Sequence, residues 1–236
     1  MISTVPDAHV YLRLNPTPVD RPAPICLYSP YSTDWRFLME TIWGRRSHDL
    51  DLTGLNDRFA KYTRVLLDLG TGDGRYVRHL AERKPRWFVI GVDSCRENLR
   101  EHSRAKLPNA LFVIASAQEL PCEFNGLVSH ITINFPWGSL LESLLAGDSK
   151  LMRGLHSISR ASASLDLRLN GGALIEAGTT LEAGTDRIFY NLLGAGWQID
   201  RPSIMDAGAL KQFPTTWAKR LAFGRDPRAM AMSGHI

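Results

Sequence analysis

Two clusters of residues in this chain have types and spacings that could do chemistry. The first is DLGTGDG (68–74), which follows the apolar run VLLDL (65–69) and precedes RYVRHLAERK, whose apolar positions have helical spacing. Gly70, Gly72 and Gly74 permit a tight turn and let a ligand approach backbone N–H groups. The start of the following helix adds a dipole that favours a carboxylate or phosphate. A second acid, Asp93, ends the next apolar run, WFVIGVD (87–93), where a carboxylate can accept both hydroxyls of a ribose. The second cluster is aromatic and cationic. It comprises NFPWGSLL (134–141), with Trp137, and TTWAKRLAFGR (215–225), where Lys219, Arg220 and Arg225 follow Trp217. A tryptophan offers a flat surface for a base, and cations beside it can hold the attached phosphates. Core packing competes with that reading for either tryptophan, since the chain has six.

These residues must be positioned by secondary structure, and from Arg64 onward the pattern is strand alternating with helix, the mark of a parallel sheet with crossover helices. The runs VLLDL, WFVIGVD, ALFVIA (110–115), LVSHITINF (127–135) and SLDLRLN (164–170) read as five strands. Between them, helices are expected at 75–84, 96–106, 139–147 and 150–161. A further helix is expected near 185–193, then a strand in WQIDRPSIM (197–205) and a closing strand near 229–233. The fold class is α/β, with a Rossmann-like, seven-stranded, mostly parallel sheet whose last strand is antiparallel. Before this pattern lies a region holding six of the thirteen prolines, read as an irregular arm over 1–42 that ends in a short helix near 35–42. Residues 43–236 are then a single domain.

Length and charge narrow the class. A chain of 236 residues can bury one core, no apolar run approaches a membrane span, and the N-terminus lacks a secretory pattern, so a cytoplasmic monomer is expected. Cys26, Cys95 and Cys122 are far apart with no CxxC pair, which argues for reduced thiols and against a zinc site. Residues 1–63 hold seven basic and seven acidic groups and 64–210 hold sixteen of each, so the net +4 sits in the last 26 residues, with five basic groups against one acidic. A second basic zone, 75–106, has nine basic and four acidic residues, Arg104 and Lys106 among the basic ones. Two cationic zones on a balanced chain suggest a polyanion, and helical ion pairing on a solvated face is the alternative.

The spacing from the glycine turn to Asp93 suits a dinucleotide or S-adenosylmethionine. The nicotinamide fingerprint is not met, since Arg75 and Val77 break G-x-G-x-x-G. D-x-G-x-G-x-G resembles motif I of the class I S-adenosylmethionine-dependent methyltransferases, whose opening acid lies near the methionine end of the ligand. That resemblance puts ASAQELP (115–121), with Ala117, Gln118 and Glu119, beside the adenine. Enzymes of this class that methylate exocyclic amines often carry N/D-P-P-Y/F/W after the fourth strand. Here Asn134 stands one residue early and Phe135 cannot accept a hydrogen bond, which disfavours that chemistry.

DLGTGDGR, FPWGSLLE, WAKRLAFGR and the terminal SGH together resemble the aminoglycoside-resistance methyltransferases of the Kam/Npm type, from about Trp43 to the C-terminus. The resemblance implies methyl transfer from S-adenosylmethionine to N1 of adenine 1408 of 16S rRNA in the 30S decoding site. It assigns Asp68, Gly70, Thr71, Gly72, Asp73, Asp93, Ala117 and Gln118 to the cofactor. It assigns Trp137 and Trp217 to sandwiching a flipped adenine, and Lys219, Arg220, Arg225 and Arg104 to the rRNA. The neutral N1 has a free lone pair and needs no general base, which agrees with the lack of an evident catalytic His or Cys; His79 and His102 are expected on helix surfaces. Three features depart from the family: Gln118 replaces a Glu, the linker 103–109 is short and poor in lysine, and Pro227 replaces a basic residue. Arg96, Arg100 and Arg104 could still align on one helical face, or pair with Glu97 and Glu101. Action on another RNA position or a small molecule, and a binding homologue without turnover, are the alternatives.

Overall fold

The computed structural model describes residues 39–50, 55–222 and 228–236. The chain opens with a hairpin, β1 (Met39–Trp43) and β2 (Arg46–Leu50), followed by α1 (Leu55–Ala60). Then come β3 (Arg64–Leu69), α2 (Arg75–Arg83), β4 (Trp87–Asp93), β5 (Ala110–Ile114) and β6 (Val128–Asn134). Next are α3 (Gly138–Ala146), α4 (Ser149–Ile158), β7 (Ser159–Asn170), α5 (Gly171–Glu176) and α6 (Leu181–Gly194). Short β8 (Gln198–Ile199) and β9 (Ser203–Met205) lead to α7 (Ala207–Gln212), α8 (Thr216–Ala222) and β10 (Ala229–His235).

All the described strands share one sheet of order β2-β1-β5-β4-β3-β6-β7-β10-β8, with β9 pairing β10. The five strands from β5 to β7 are parallel and β10 runs antiparallel to β7, as expected. The central strands are apolar runs because both faces are covered; Leu67, Phe88, Ile90, Val92, Ile131 and Ile133 are all buried. The chain builds outward from β3 through β4 to β5, then returns to the other side of β3 with β6 and β7. That reversal opens a crevice at the carboxyl ends of β3 and β6, where this architecture places ligands.

Five expectations are corrected. The seven-stranded sheet is extended by the hairpin, which joins the β5 edge through Thr41 opposite Val113, and by β9. Residues 39–43 are strand rather than helix, because METIW buries Met39, Thr41 and Ile42 against that edge; 35–38 lie outside the described residues. The helix expected over 96–106 is instead two 3-10 turns, Asn98–Arg100 and His102–Ala105. Tertiary contacts override helix propensity there: Gly44 N–H donates to Ser103 Oγ (2.8 Å) and the Arg96 guanidinium to Ser47 Oγ (2.6 Å). Arg96 also approaches Glu40 (3.9 Å) and Arg100 pairs with Glu97 (2.9 Å), so no continuous arginine face forms. Finally, His102 is buried and His79 half-buried, and the helix ending near 161 stops at Ile158, where β7 begins.

Candidate active site

The turn after β3 is fixed by its backbone. Gly70 and Thr71 N–H groups both donate to Val92 O (2.8 and 3.0 Å), stitching the turn to the end of β4. Gly70 has φ +71°, and a Cβ there would lie 2.6 Å from Leu140 Cδ2, so both conformation and space demand glycine. Asp93 is held from both oxygens: Gly72 N–H donates to Oδ2 and Cys95 N–H to Oδ1, each at 2.8 Å. Burial raises its pKa, against those backbone hydrogen bonds.

Asp68 lies beneath, 1% exposed. Its Oδ1 accepts from Thr132 Oγ1 (2.7 Å) and Asn134 Nδ2 (2.8 Å), both on β6. The Asn134 carbonyl in turn accepts from Arg168 Nη1 (3.0 Å) on β7. Burial pushes the Asp68 carboxyl up to about 6, although hydrogen bonds from Thr71, Thr132 and Asn134 and the Arg168 charge pull the other way. A carboxylate so placed gains most from a cationic ligand. Asn134 is therefore committed to Asp68 and Arg168, which gives the disfavoured exocyclic-amine chemistry a structural cause.

Asp68, the 70–73 turn, Asp93 and Ala117 line one cavity of about 610 Å³. Its mouth is the β6–α3 connection. Phe135 is buried yet has φ +55°, a left-handed conformation costly for a bulky residue and typical of strained functional turns. After Pro136, Trp137 stands 39% exposed on the cavity lining, and its Nε1–H donates to Glu176 Oε1 (3.2 Å) at the end of α5. The opposite rim is the start of α8, with Thr215, Thr216 and Arg220 on the lining. Thr216 Oγ1 donates to Asp73 Oδ2 (2.6 Å), tying this rim to the glycine turn. Just before it, the Phe213 ring stacks on Tyr76 (5.3 Å between centroids), meets Phe135 edge-on (5.9 Å) and lies under the Arg168 guanidinium (4.5 Å).

The residues anticipated from sequence are thus brought together only in part. Asp68, Gly70, Thr71, Gly72, Asp73, Asp93, Ala117, Trp137 and Arg220 line the cavity. Gln118 does not; its amide donates to Ser143 Oγ (2.6 Å) on α3. Glu119 faces Lys150 (3.9 Å) at the surface. Trp217 and Lys219 lie on α8, but the Trp217 side chain, Arg225 and Pro227 fall outside the described residues. Arg104 is exposed beside the hairpin rather than on the cavity. Sequence reasoning missed Tyr76, Asn98, Thr215 and Thr216 on the lining, and Arg168, Phe213 and Glu176 behind it. Only the polar strand positions Asn134 and Arg168 carried a signal, since parallel central strands are otherwise apolar.

Comparison with known proteins places this architecture. The model of the NpmA family, 16S rRNA (adenine(1408)-N(1))-methyltransferase, matches residues 40–236. A 16S rRNA (adenine(1408)-N(1))-methyltransferase of Escherichia coli is 31% identical over 211 residues, 82% of this chain and 96% of the relative. Among solved structures, the 16S rRNA methyltransferase KamB is similar with TM-score 0.75 at 28% identity, covering 84% of this chain and 99% of that one. The aminoglycoside resistance methyltransferase NpmB1 is similar with TM-score 0.69 at 30% identity, covering 84% and 99%. With its family model spanning the glycine turn, the FPW mouth and α8, this chain belongs to the NpmA family of 16S rRNA (adenine(1408)-N(1))-methyltransferases.

Proposed function

We propose that the chain transfers the methyl group of S-adenosylmethionine to N1 of adenine 1408 in the 16S rRNA of the 30S subunit, and that this modification protects a cell from aminoglycosides. The observation that carries the reading is one cavity with a buried carboxylate, Asp68, on its floor, a fixed carboxylate, Asp93, at its side and Trp137 at its mouth. These residues fit the cofactor. Asp68 suits the ammonium of its methionine end, Asp93 suits the ribose hydroxyls, and a Cβ built on Gly72 meets no neighbour, leaving room for a ligand. Thr71 Oγ1, buried beside Asp68, is a further polar group for it. The bound cofactor supplies an electrophilic methyl on sulfonium.

The protein's part is alignment. N1 of a neutral adenine attacks through its own lone pair, so no residue has to remove a proton, and among the described residues the cavity lining contains no histidine. The base must leave its stack and be held in line with the reacting bond. Trp137 and Trp217 hold it, each stacking contact being worth about 1–3 kcal/mol. Methylation leaves a positive charge on the ring, which aromatic faces also stabilise. The Glu176 hydrogen bond orients the Trp137 indole. Lys219, Arg220, Arg225 and Arg104 hold rRNA phosphates, Ala117 borders the cofactor adenine, and Gln118, off the lining, braces that segment through its hydrogen bond to Ser143.

Expression in a susceptible bacterium followed by primer extension across the 16S decoding site tests this. A stop at adenine 1408 with raised aminoglycoside tolerance is expected. Soluble protein with no stop there would overturn it.

A further inference from the structure

We propose that Arg168 is a positioning residue for methyl transfer: the edge of its guanidinium fixes Asn134 on the cavity floor and the face fixes Phe213 between the two rims of the mouth, so that one side chain aligns cofactor and base. This inference rests on the proposed function and adds to it a residue that lies off the cavity lining and acts through its neighbours.

Arg168 stands on β7 opposite Asn134 in the register of two parallel strands, with its side chain 18% exposed. An arginine so placed is costly unless its donors and its charge are satisfied. Three partners do this. Nη1 donates to Asn134 Oδ1 (3.0 Å), Nη2 lies 3.7 Å from Asp166 Oδ2, and the guanidinium carbon is 4.5 Å from the Phe213 ring centroid. Asp166 is itself anchored, by Ser233 Oγ (2.7 Å) and by His130 Nε2 (3.3 Å). A planar guanidinium bonds along its edge and stacks on its face at once, which a lysine ammonium cannot do.

Each contact sets something the reaction needs. Arg168 can only donate, so it holds the oxygen of the Asn134 amide. The amide nitrogen is thereby turned to Asp68 Oδ1 (2.8 Å), which presents that carboxyl to the cavity in one orientation. A reversed amide would set its oxygen against the Asp68 carboxylate. On the other face, Phe213 stacks on Tyr76 and meets Phe135 edge-on. Phe135 opens the turn that carries Trp137, and Phe213 is three residues before α8, whose first residue, Thr216, bonds Asp73. The Phe213 ring thus braces both rims of the mouth, and Arg168 caps it.

The test is calorimetry of cofactor binding together with single-turnover methylation of 30S subunits at saturating cofactor, for wild type, Arg168→Met, Arg168→Lys, Phe213→Leu and the Arg168→Met/Phe213→Leu double variant. Arg168→Met should lose about tenfold in cofactor affinity and, separately, about tenfold in transfer rate with cofactor saturating. Arg168→Lys keeps the charge and a donor for Asn134, so affinity should return to within about threefold of wild type while the rate stays about fivefold down. Phe213→Leu should lower the rate alone, and the double variant should be no slower than Arg168→Met, because both substitutions break one contact. A merely structural role would move the unfolding midpoint and leave affinity and saturated rate untouched. Arg168→Met with wild-type affinity and rate, or rate losses that add in the double variant, would overturn the proposal. If Arg168→Met does not fold, a wild-type rate in Arg168→Lys overturns it equally. Wild-type protein that binds cofactor yet leaves adenine 1408 unmethylated would instead overturn the proposed function.

Discussion

Replacing Asp68 with asparagine should make the ligand-free protein more stable while weakening cofactor binding. The folded chain holds the Asp68 carboxyl at about 6 instead of 3.8, chiefly because burial disfavours its charged form. At about 1.4 kcal/mol per pKa unit, the shift of roughly 2 units corresponds to about 3 kcal/mol at neutral pH. The folded pKa is raised, so the stabilising contribution of the neutral acid is complete below pH 3.8 and is lost as the pH rises through about 6. Asparagine is a suitable replacement because Thr132 and Asn134 both donate to the same oxygen, Oδ1, and an amide carbonyl there keeps both bonds. Urea unfolding of the ligand-free proteins should show the variant more stable by about 1–3 kcal/mol at pH 7.5, with roughly half the difference gone by pH 5. Calorimetry should show cofactor affinity reduced by about 10- to 100-fold, the range for loss of one charged hydrogen bond. Parallel stability curves over this pH range, or unchanged cofactor affinity, would refute the reasoning.

The Asp73 link predicts that Thr216→Val slows methyl transfer about tenfold with cofactor affinity nearly unchanged, because it frees α8 from the glycine turn without altering the cavity floor; Thr216→Ser should recover the rate, measured as kcat against KM. Trp137→Ala and Trp217→Ala should each abolish modification of 30S subunits while the Trp217 variant still binds cofactor, and full activity in both would exclude the aromatic sandwich. Arg168→Met keeps the aliphatic stem but removes the charge beside Asp68, so cofactor binding should weaken and its acid limb should move to higher pH, followed calorimetrically from pH 6 to 8.5. The charged and titratable groups facing Asp68 in that titration are Tyr76 from α2 and Arg168 from β7. Gly70→Ala should destabilise the fold by about 1–3 kcal/mol, seen in thermal unfolding, through its φ of +71° and the Leu140 contact.

The parts of the fold readable from sequence are those where local pattern and tertiary demand coincide. VLLDL and WFVIGVD are apolar apart from Asp68 and Asp93 because both sheet faces are covered, and DLGTGDG marks its turn because the left-handed Gly70 favours glycine there. The hairpin was not readable. METIWGRRSHDL has a turn glycine but no clean alternation, and its strand conformation comes from the β5 edge, which no local window contains. Residues 96–106 failed for the opposite reason: good helix formers are drawn into 3-10 turns by the hairpin they cover. In the site, the residues that touch the cavity were largely legible because glycine, acid and tryptophan are chemically distinctive. The supporting residues were not, because Arg168 and Thr216 matter through partners 34 and 143 positions away.

Those distant partners show how the two halves of the site are built as one object. The Arg168 guanidinium touches the cofactor side through Asn134, which carries its polarity to Asp68, and the substrate side through Phe213, three residues before α8. Arg168 also lies 3.7 Å from Asp166, whose carboxyl is held down at about 2 against its own burial by hydrogen bonds from His130 and Ser233, with the charges of His130 and Arg168 adding to them. The inner face of β6 and β7 is thus a run of polar side chains in a sheet whose other central strands are apolar. Such a run costs stability unless each member is satisfied, and Asp68 is the one that stays electrostatically expensive at neutral pH. The arrangement is reasonable only if Asp68 acquires a cation during the working cycle. The instability of the ligand-free floor then becomes part of the affinity for the ligand, and because Arg168 holds both Asn134 and Phe213, an altered floor also disturbs the segment that leads into α8.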